Sequence, residues 1–149
     1  MMDRSRGVVV DSSVLVADAQ PDEPEHDAAK ALLLALVRFG VDQHMPAIAL
    51  VEVAAAISRG VGDAWLAQRL AETYRRRQGV HVVPVDLALA ATATRLAAEQ
   101  RLRGCDAVFV ALAQVRGAVL VTLDREQRER APDSVTAWHP REAMERMDS

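Results

Sequence analysis

Four carboxylates stand where carboxylates are least expected. Asp11 ends the run Gly7-Val8-Val9-Val10, and Asp124 follows Val119-Leu120-Val121-Thr122-Leu123. Asp106 opens Ala107-Val108-Phe109-Val110-Ala111-Leu112-Ala113, and Glu52 is the only charge in the eleven residues from Ala47 to Ile57. An ionised carboxylate is costly to remove from water without a partner. Few partners are near: Lys30 is the only lysine, and no arginine falls inside these runs. If the fold gathers the four, they repel. Two unit charges about 5 Å apart cost roughly 3 kcal/mol at an effective dielectric near 20. A bound divalent cation is the simplest remedy, and oxygen-only ligands suit a hard ion such as Mg²⁺ or Mn²⁺. Such an ion lowers the pKa of water and neutralises charge on a phosphodiester.

Each acid alone has a plainer explanation, and they differ in strength. Asp11 and Asp106 each precede an apolar helix and would serve as N-caps. Asp124-Arg125-Glu126-Gln127 nearly fits a capping box, with Gln127 reaching back. Glu52 lies in mid-helix with apolar neighbours at i±3 and i±4, where capping explains nothing. Asp86 reads as the cap of the helix after it, and Asp63 and Asp133 as cap or turn residues. Ser13 follows Asp11 by two residues and Thr122 precedes Asp124 by two. Either hydroxyl would donate to a carboxylate and fix its direction.

The elements that must position these groups alternate between strand and helix. Val8 to Val10 reads as a short buried strand, followed by a helix to about Asp18. Pro21 and Pro24 break the chain before a helix from Glu25 to Arg38, closed by Gly40. His44-Met45 reads as a brief strand, and Ala47 to Arg59 as an apolar helix stopped by Gly60-Val61-Gly62. Asp63 then caps a helix to about Arg77. A strand is expected over His81 to Val85, helices over Leu87 to Leu102 and Cys105 to Arg116, and a strand over Ala118 to Thr122. A short turn of helix follows over Arg125 to Arg130, then a last strand over Ser134 to Trp138 and a polar tail. This alternation predicts one domain over residues 1–149, its core about 7–138, with a mostly parallel sheet and right-handed crossovers. Sites in such sheets form beyond the carboxyl ends of the strands, where Asp11 and Asp124 sit.

Composition narrows the function further. Half the residues are hydrophobic but only 3% are aromatic, which argues against a platform that stacks bases on rings. The net charge of −3 is mild, and all but one of the 18 basic residues are arginine, so an anionic polymer remains an acceptable substrate. Cys105 is the only cysteine, which excludes an internal disulfide framework and a cysteine-rich zinc site. The four histidines (His26, His44, His81, His139) show no ligand spacing. The apolar run near the start is too short for a signal peptide, and none is long enough to span a membrane. A cytoplasmic protein is expected.

Together, Val-Val-Asp11-Ser-Ser13, Glu52 in an apolar helix, Gly104-Cys105-Asp106-Ala107 and Thr122-Leu123-Asp124 resemble the PIN-domain ribonucleases. Size and spacing resemble more narrowly the VapC-type toxins of bacterial toxin–antitoxin pairs, from about Gly7 to Trp138. The resemblance implies a PIN-like three-layer α/β/α sandwich around a small mostly parallel sheet, with an acidic pocket holding Mg²⁺ or Mn²⁺. It implies Asp11, Glu52 and Asp106 as core ligands, Asp124 as the fourth acid, often working through water, and Ser13 and Thr122 as polar support. Cys105 occupies a place where such proteins more often carry a small residue, and reads as a tolerated substitution.

The expected activity is endoribonuclease hydrolysis, water attacking an RNA phosphate in line to leave 5′-phosphate and 3′-hydroxyl ends, with one or two metals. Arg101, Arg103, Arg125 and Arg128 flank the acids and are expected to contact RNA phosphates. Arg75-Arg76-Arg77 reads better as a helix C-terminus complementing its dipole. Expected partners are RNA, a cognate antitoxin and a second copy in a homodimer. The helices Ala28–Val37 and Ala64–Tyr74, with Trp65 and Leu66, offer surfaces for the protein partners unless the domain's own core buries them. A stand-alone RNA-processing nuclease and a degenerate PIN fold used as a binding scaffold are the alternatives. A response-regulator receiver fails for lack of adjacent acids after the first strand and of any lysine after Lys30.

Overall fold

Val8–Val10 forms β1, three buried β-branched residues that suit the middle of a sheet covered on both faces. The computed structural model describes residues 2–148. Around β1 lies a five-stranded sheet in the order β3-β2-β1-β4-β5, every pairing parallel. The strands are β2 (Gln43–Pro46), β3 (Val80–Val83), β4 (Val119–Val121) and β5 (Ala137–Trp138). From β1 the chain moves outward to β2 and β3, then returns to β1's other side with β4 and β5. The direction of winding therefore reverses between β1 and β4, which opens a crevice beyond their carboxyl ends. Register pairs Val8 with Val119 and Val10 with Val121, so Asp11 and Thr122 leave the sheet side by side.

Eight α-helices complete the described residues: α1 (Ser12–Ala19), α2 (His26–Arg38), α3 (Ile48–Val61), α4 (Ala64–Arg75), α5 (Leu87–Gln100), α6 (Gly104–Arg116), α7 (Arg125–Arg130) and α8 (Pro140–Asp148). Helix α6 packs across β1, β2 and β4 with α5 against it, while α1, α2 and α8 form a second packed group and α3 and α4 pair. The result is the expected α/β/α arrangement, with a wholly parallel sheet. Phe109, Leu15, Leu32, Met45, Leu112 and Leu120 are fully buried between the layers, each contributing about 1.5–3 kcal/mol of transfer free energy.

Several boundaries move. Helix α3 runs on through Gly60 and Val61 and stops only at Gly62, which takes the left-handed conformation (φ 75°) that glycine adopts without strain. The expected polar tail is helix α8, with Pro140, Ala143 and Met147 buried against the core. Its polar residues lie on the outer face, so low average hydropathy concealed an amphipathic helix. The core therefore extends beyond 7–138, to Met2 and Met147. The caps are as read: Asp63 accepts from Leu66 N at 3.0 Å and Asp86 from Leu89 N at 2.9 Å. Arg75 and Arg76 both pair with Glu72, within the helix. Helix α2 puts Leu32, Leu33 and Leu36 into the core and leaves Leu34 56% exposed; on α4, Trp65 is 70% exposed. No helix among the described residues is long and apolar enough to cross a membrane.

Candidate active site

At the β1/β4 crevice a cleft of about 760 Å³ opens, and all four predicted acids line it. They arrive on four different elements. Asp11 follows β1, Asp124 follows β4, Glu52 projects from α3 and Asp106 from the first turn of α6.

Asp11 is buried and caps α1, as the plainer reading had it. Both of its side-chain hydrogen bonds fall on one oxygen: Oδ2 accepts from Ser13 N at 3.1 Å and from Thr122 Oγ1 at 3.2 Å. Oδ1 is left for a ligand. Because Thr122 gives its only hydroxyl proton to Asp11, it can only accept elsewhere, and it takes Asp124 N at 3.0 Å. Ser13 Oγ lies 3.4 Å from Thr122 Oγ1 and accepts from Leu123 N at 3.2 Å. Ser13 and Thr122 thus hold Asp11 and the backbone of Asp124 in one network. Asp124 also spends one oxygen on capping: Oδ1 accepts from Glu126 N at 2.9 Å and Gln127 N at 3.3 Å. Capping and site duty share one carboxylate in both residues.

The capping box itself is only half formed. The Gln127 side chain is buried and donates instead to the Asp106 carbonyl at 3.2 Å, tying α7 to the first turn of α6. Asp106 is not an N-cap; Arg103 holds that position, and the Asp106 carboxylate makes no hydrogen bond with any described residue. Glu52 Oε1 accepts from Ser12 Oγ at 3.1 Å, and the neighbouring Cys105 thiol favours its ionised form.

Electrostatics records how closely the acids face one another. Burial foremost, then the charges of Asp11, Asp124 and Glu52, push the Asp106 carboxyl up to about 6, with Arg103 opposing. Burial raises the Glu52 carboxyl, helped by Asp11, and it raises Asp11 against the pull of Ser13 and Thr122. The Cys105 thiol is also raised, by burial and by Glu52, so it is a poor source of thiolate. The donor chemistry suits a hard divalent cation: four carboxylates line one cleft, and Asp11, Asp124 and Glu52 all disfavour ionisation of Asp106. Among the described residues, no group of three or more His, Cys, Asp or Glu side chains is placed so that it could hold a metal ion as it stands. The acids instead line the walls of an open cleft.

The predicted arginines fare differently. Arg125 pairs with Glu129 at 2.8 Å, and Arg128 Nη1 donates to the Thr122 carbonyl at 2.8 Å. Arg101 adopts φ 55° at the end of α5, and its carbonyl accepts from Arg130. Arg103 acts on Asp106 through its charge. None of the four lines the cleft; Arg59, Glu23 and Glu25 do. The structure adds Ser12 and Arg59 to the site and moves Gln127 from the capping box to the Asp106 carbonyl. Arg59 alone left a usable signal, seven residues from Glu52 and so on the same helix face.

The sequence matches the PIN domain family model over residues 8–132. No curated protein matches it in sequence. Among solved structures, the fold is similar to Mycobacterium tuberculosis VapC20, described as a sarcin–ricin-loop-cleaving toxin, at TM-score 0.73 and 19% identity, covering 87% of this chain and 98% of that one. It is similar to a toxin–antitoxin complex from Klebsiella pneumoniae at TM-score 0.63 and 18% identity, covering 87% and 96%. It is also similar to the DNA-bound VapBC complex of Salmonella typhimurium at TM-score 0.66 and 18% identity, covering 90% and 98%.

Proposed function

The chain belongs to the PIN domain family, and from that premise we propose that it is a metal-dependent endoribonuclease, the toxin of a toxin–antitoxin pair. One observation carries the reading: four acids from four separate elements line one cleft at the sheet's switch point. Similarity to toxin–antitoxin complexes supports the pairing with an antitoxin.

Asp11, Glu52 and Asp106 would hold Mg²⁺ or Mn²⁺, with Asp124 as the fourth acid. When bound, the cation lowers the pKa of water and offsets charge on the phosphodiester. The chain's own groups orient and constrain. Thr122 and Ser13 fix Asp11 through its Oδ2, Ser12 restrains Glu52, and Gln127 anchors the turn that carries Asp106. The reaction is hydrolysis: water oxygen bonds to phosphorus as the P–O3′ bond breaks, leaving 5′-phosphate and 3′-hydroxyl ends. An antitoxin would silence the site by covering the rim, where Val51 is 62% exposed, and by setting a basic side chain against the acids. A homodimer would use exposed apolar helix surface elsewhere.

The test is cleavage of total bacterial RNA by purified protein with Mg²⁺ or Mn²⁺, beside EDTA and Asp106→Asn. Cutting that requires both metal and Asp106 is expected. Folded, antitoxin-free protein that cuts nothing with any metal would favour a binding scaffold.

A further inference from the structure

The cleft is lined by six carboxylates (Asp11, Glu23, Glu25, Glu52, Asp106, Asp124) and, among the described residues, one cation, Arg59. An arginine in such company ordinarily pairs with an acid. Arg59 makes no hydrogen bond or ion pair with any described residue, so its planar fork of five N–H donors stays available. Its position follows from helix geometry. Seven residues separate Glu52 from Arg59 on α3, two turns, which places them on one face about 10 Å apart along the axis. Between them on that face lie Ala55 and Ala56, which also line the cleft. Their methyl groups leave a low floor from the acid cluster to the guanidinium.

We infer that Arg59 is a phosphate-binding subsite that grips the RNA backbone beyond the phosphate being cut, the strand lying along the Glu52–Ala55/Ala56–Arg59 face of α3. This rests on the RNA-cleaving reading above. The physical need is clear: Glu25 pairs with Arg141 and His139, but the other five acids repel an approaching polyanion, a metal relieves this only locally, and an unpaired guanidinium supplies attraction where the strand continues. Arg59 lies in the last turn of α3, where a cation also complements the helix dipole. That role would affect helix stability and leave RNA binding untouched.

The experiment uses the full chain carrying Asp106→Asn, so that RNA is bound without being cut. Binding of a short fluorescein-labelled single-stranded RNA of mixed sequence is followed by anisotropy across a salt series, with Arg59→Gln and Arg59→Lys added. Arg59→Gln is expected to weaken binding about fivefold to tenfold and to reduce the slope of log K against log salt by about 0.7, one phosphate contact in a single strand. Arg59→Lys should keep the salt slope and lose only part of the affinity. Arg59→Lys should melt with the parent, and Arg59→Gln at most a few degrees lower, the helix-dipole contribution of one exposed cation. Parental affinity and slope in Arg59→Gln would overturn the subsite while leaving the nuclease reading intact. A parent that binds no RNA at low salt would overturn both.

Discussion

Thr122 donates its hydroxyl to Asp11 Oδ2 at 3.2 Å, joining two residues 111 positions apart in sequence. The parallel register of β1 and β4 makes this contact, because both residues leave the sheet at the same level. Thr122 is fully buried, and the same oxygen accepts from the Asp124 backbone. One hydroxyl therefore serves two of the four acids.

Thr122→Val keeps the shape and removes that hydroxyl. It leaves a buried carboxylate oxygen and a backbone N–H short of partners, and should cost about 1–3 kcal/mol of stability together with most of the RNA cleavage. Thr122→Ser should retain both. Urea denaturation and an RNA cleavage assay decide it, and a valine variant equal to the parent in both would remove Thr122 from the site.

The Asp106 carboxyl predicts the direction of pH dependence. Its value of about 6 in the folded chain lies above the ordinary 3.8, so between these limits the native state holds a proton that the unfolded state has released. Stability of the metal-free protein should fall as pH rises from about 4 to about 6 through this group. Asp106→Asn should flatten that part of the curve. Added Mg²⁺ or Mn²⁺ should raise the melting temperature more at pH 7 than at pH 5, because the ligands must be ionised to bind. Melting curves with the opposite slope would show that burial of Asp106 and the charges of its neighbours do not govern this site.

Gln127 is buried, yet its Oε1 has no partner among the described residues. Its worth therefore lies in Nε2, which holds the Asp106 carbonyl. Gln127→Met preserves volume and removes an unsatisfied oxygen as well as the tether. Stability should change by less than about 1.5 kcal/mol, while kcat should fall about tenfold through loosened placement of Asp106. A variant with a parental kcat would reduce Gln127 to packing.

Met147 tests the C-terminal helix. It is 1% exposed on α8, so Met147→Ala should destabilise the chain by about 2–5 kcal/mol without shifting the metal requirement for cleavage. A loss below about 0.5 kcal/mol, the ordinary size for surface changes, would mean that α8 is not part of the core.

What the sequence determined by itself are the groups whose explanation is local. Three valines followed by Asp11 specify a buried strand and the acid at its end. Asp63 and Asp86 announce the helices they cap, and Glu52 stands out because no cap or exposed face accounts for a charge in mid-helix. These patterns are legible because helix and strand periodicity, and capping, act over four or fewer residues. Tertiary structure decided which groups meet. Gln127 abandoned the capping box for the Asp106 carbonyl, Arg128 folded back onto the Thr122 carbonyl, and Arg125 found Glu129, while Arg59 came to face the acids unpaired. The Gln127 tether and the approach of Arg59 to the acids depend on distances between segments far apart in the chain, set by the order β3-β2-β1-β4-β5 and by the helices packed on it, whereas the contacts of Arg125 and Arg128 stay within six residues. Local patterning placed the four acids on their elements, and only the closing of those elements around the β1/β4 crevice made them one site.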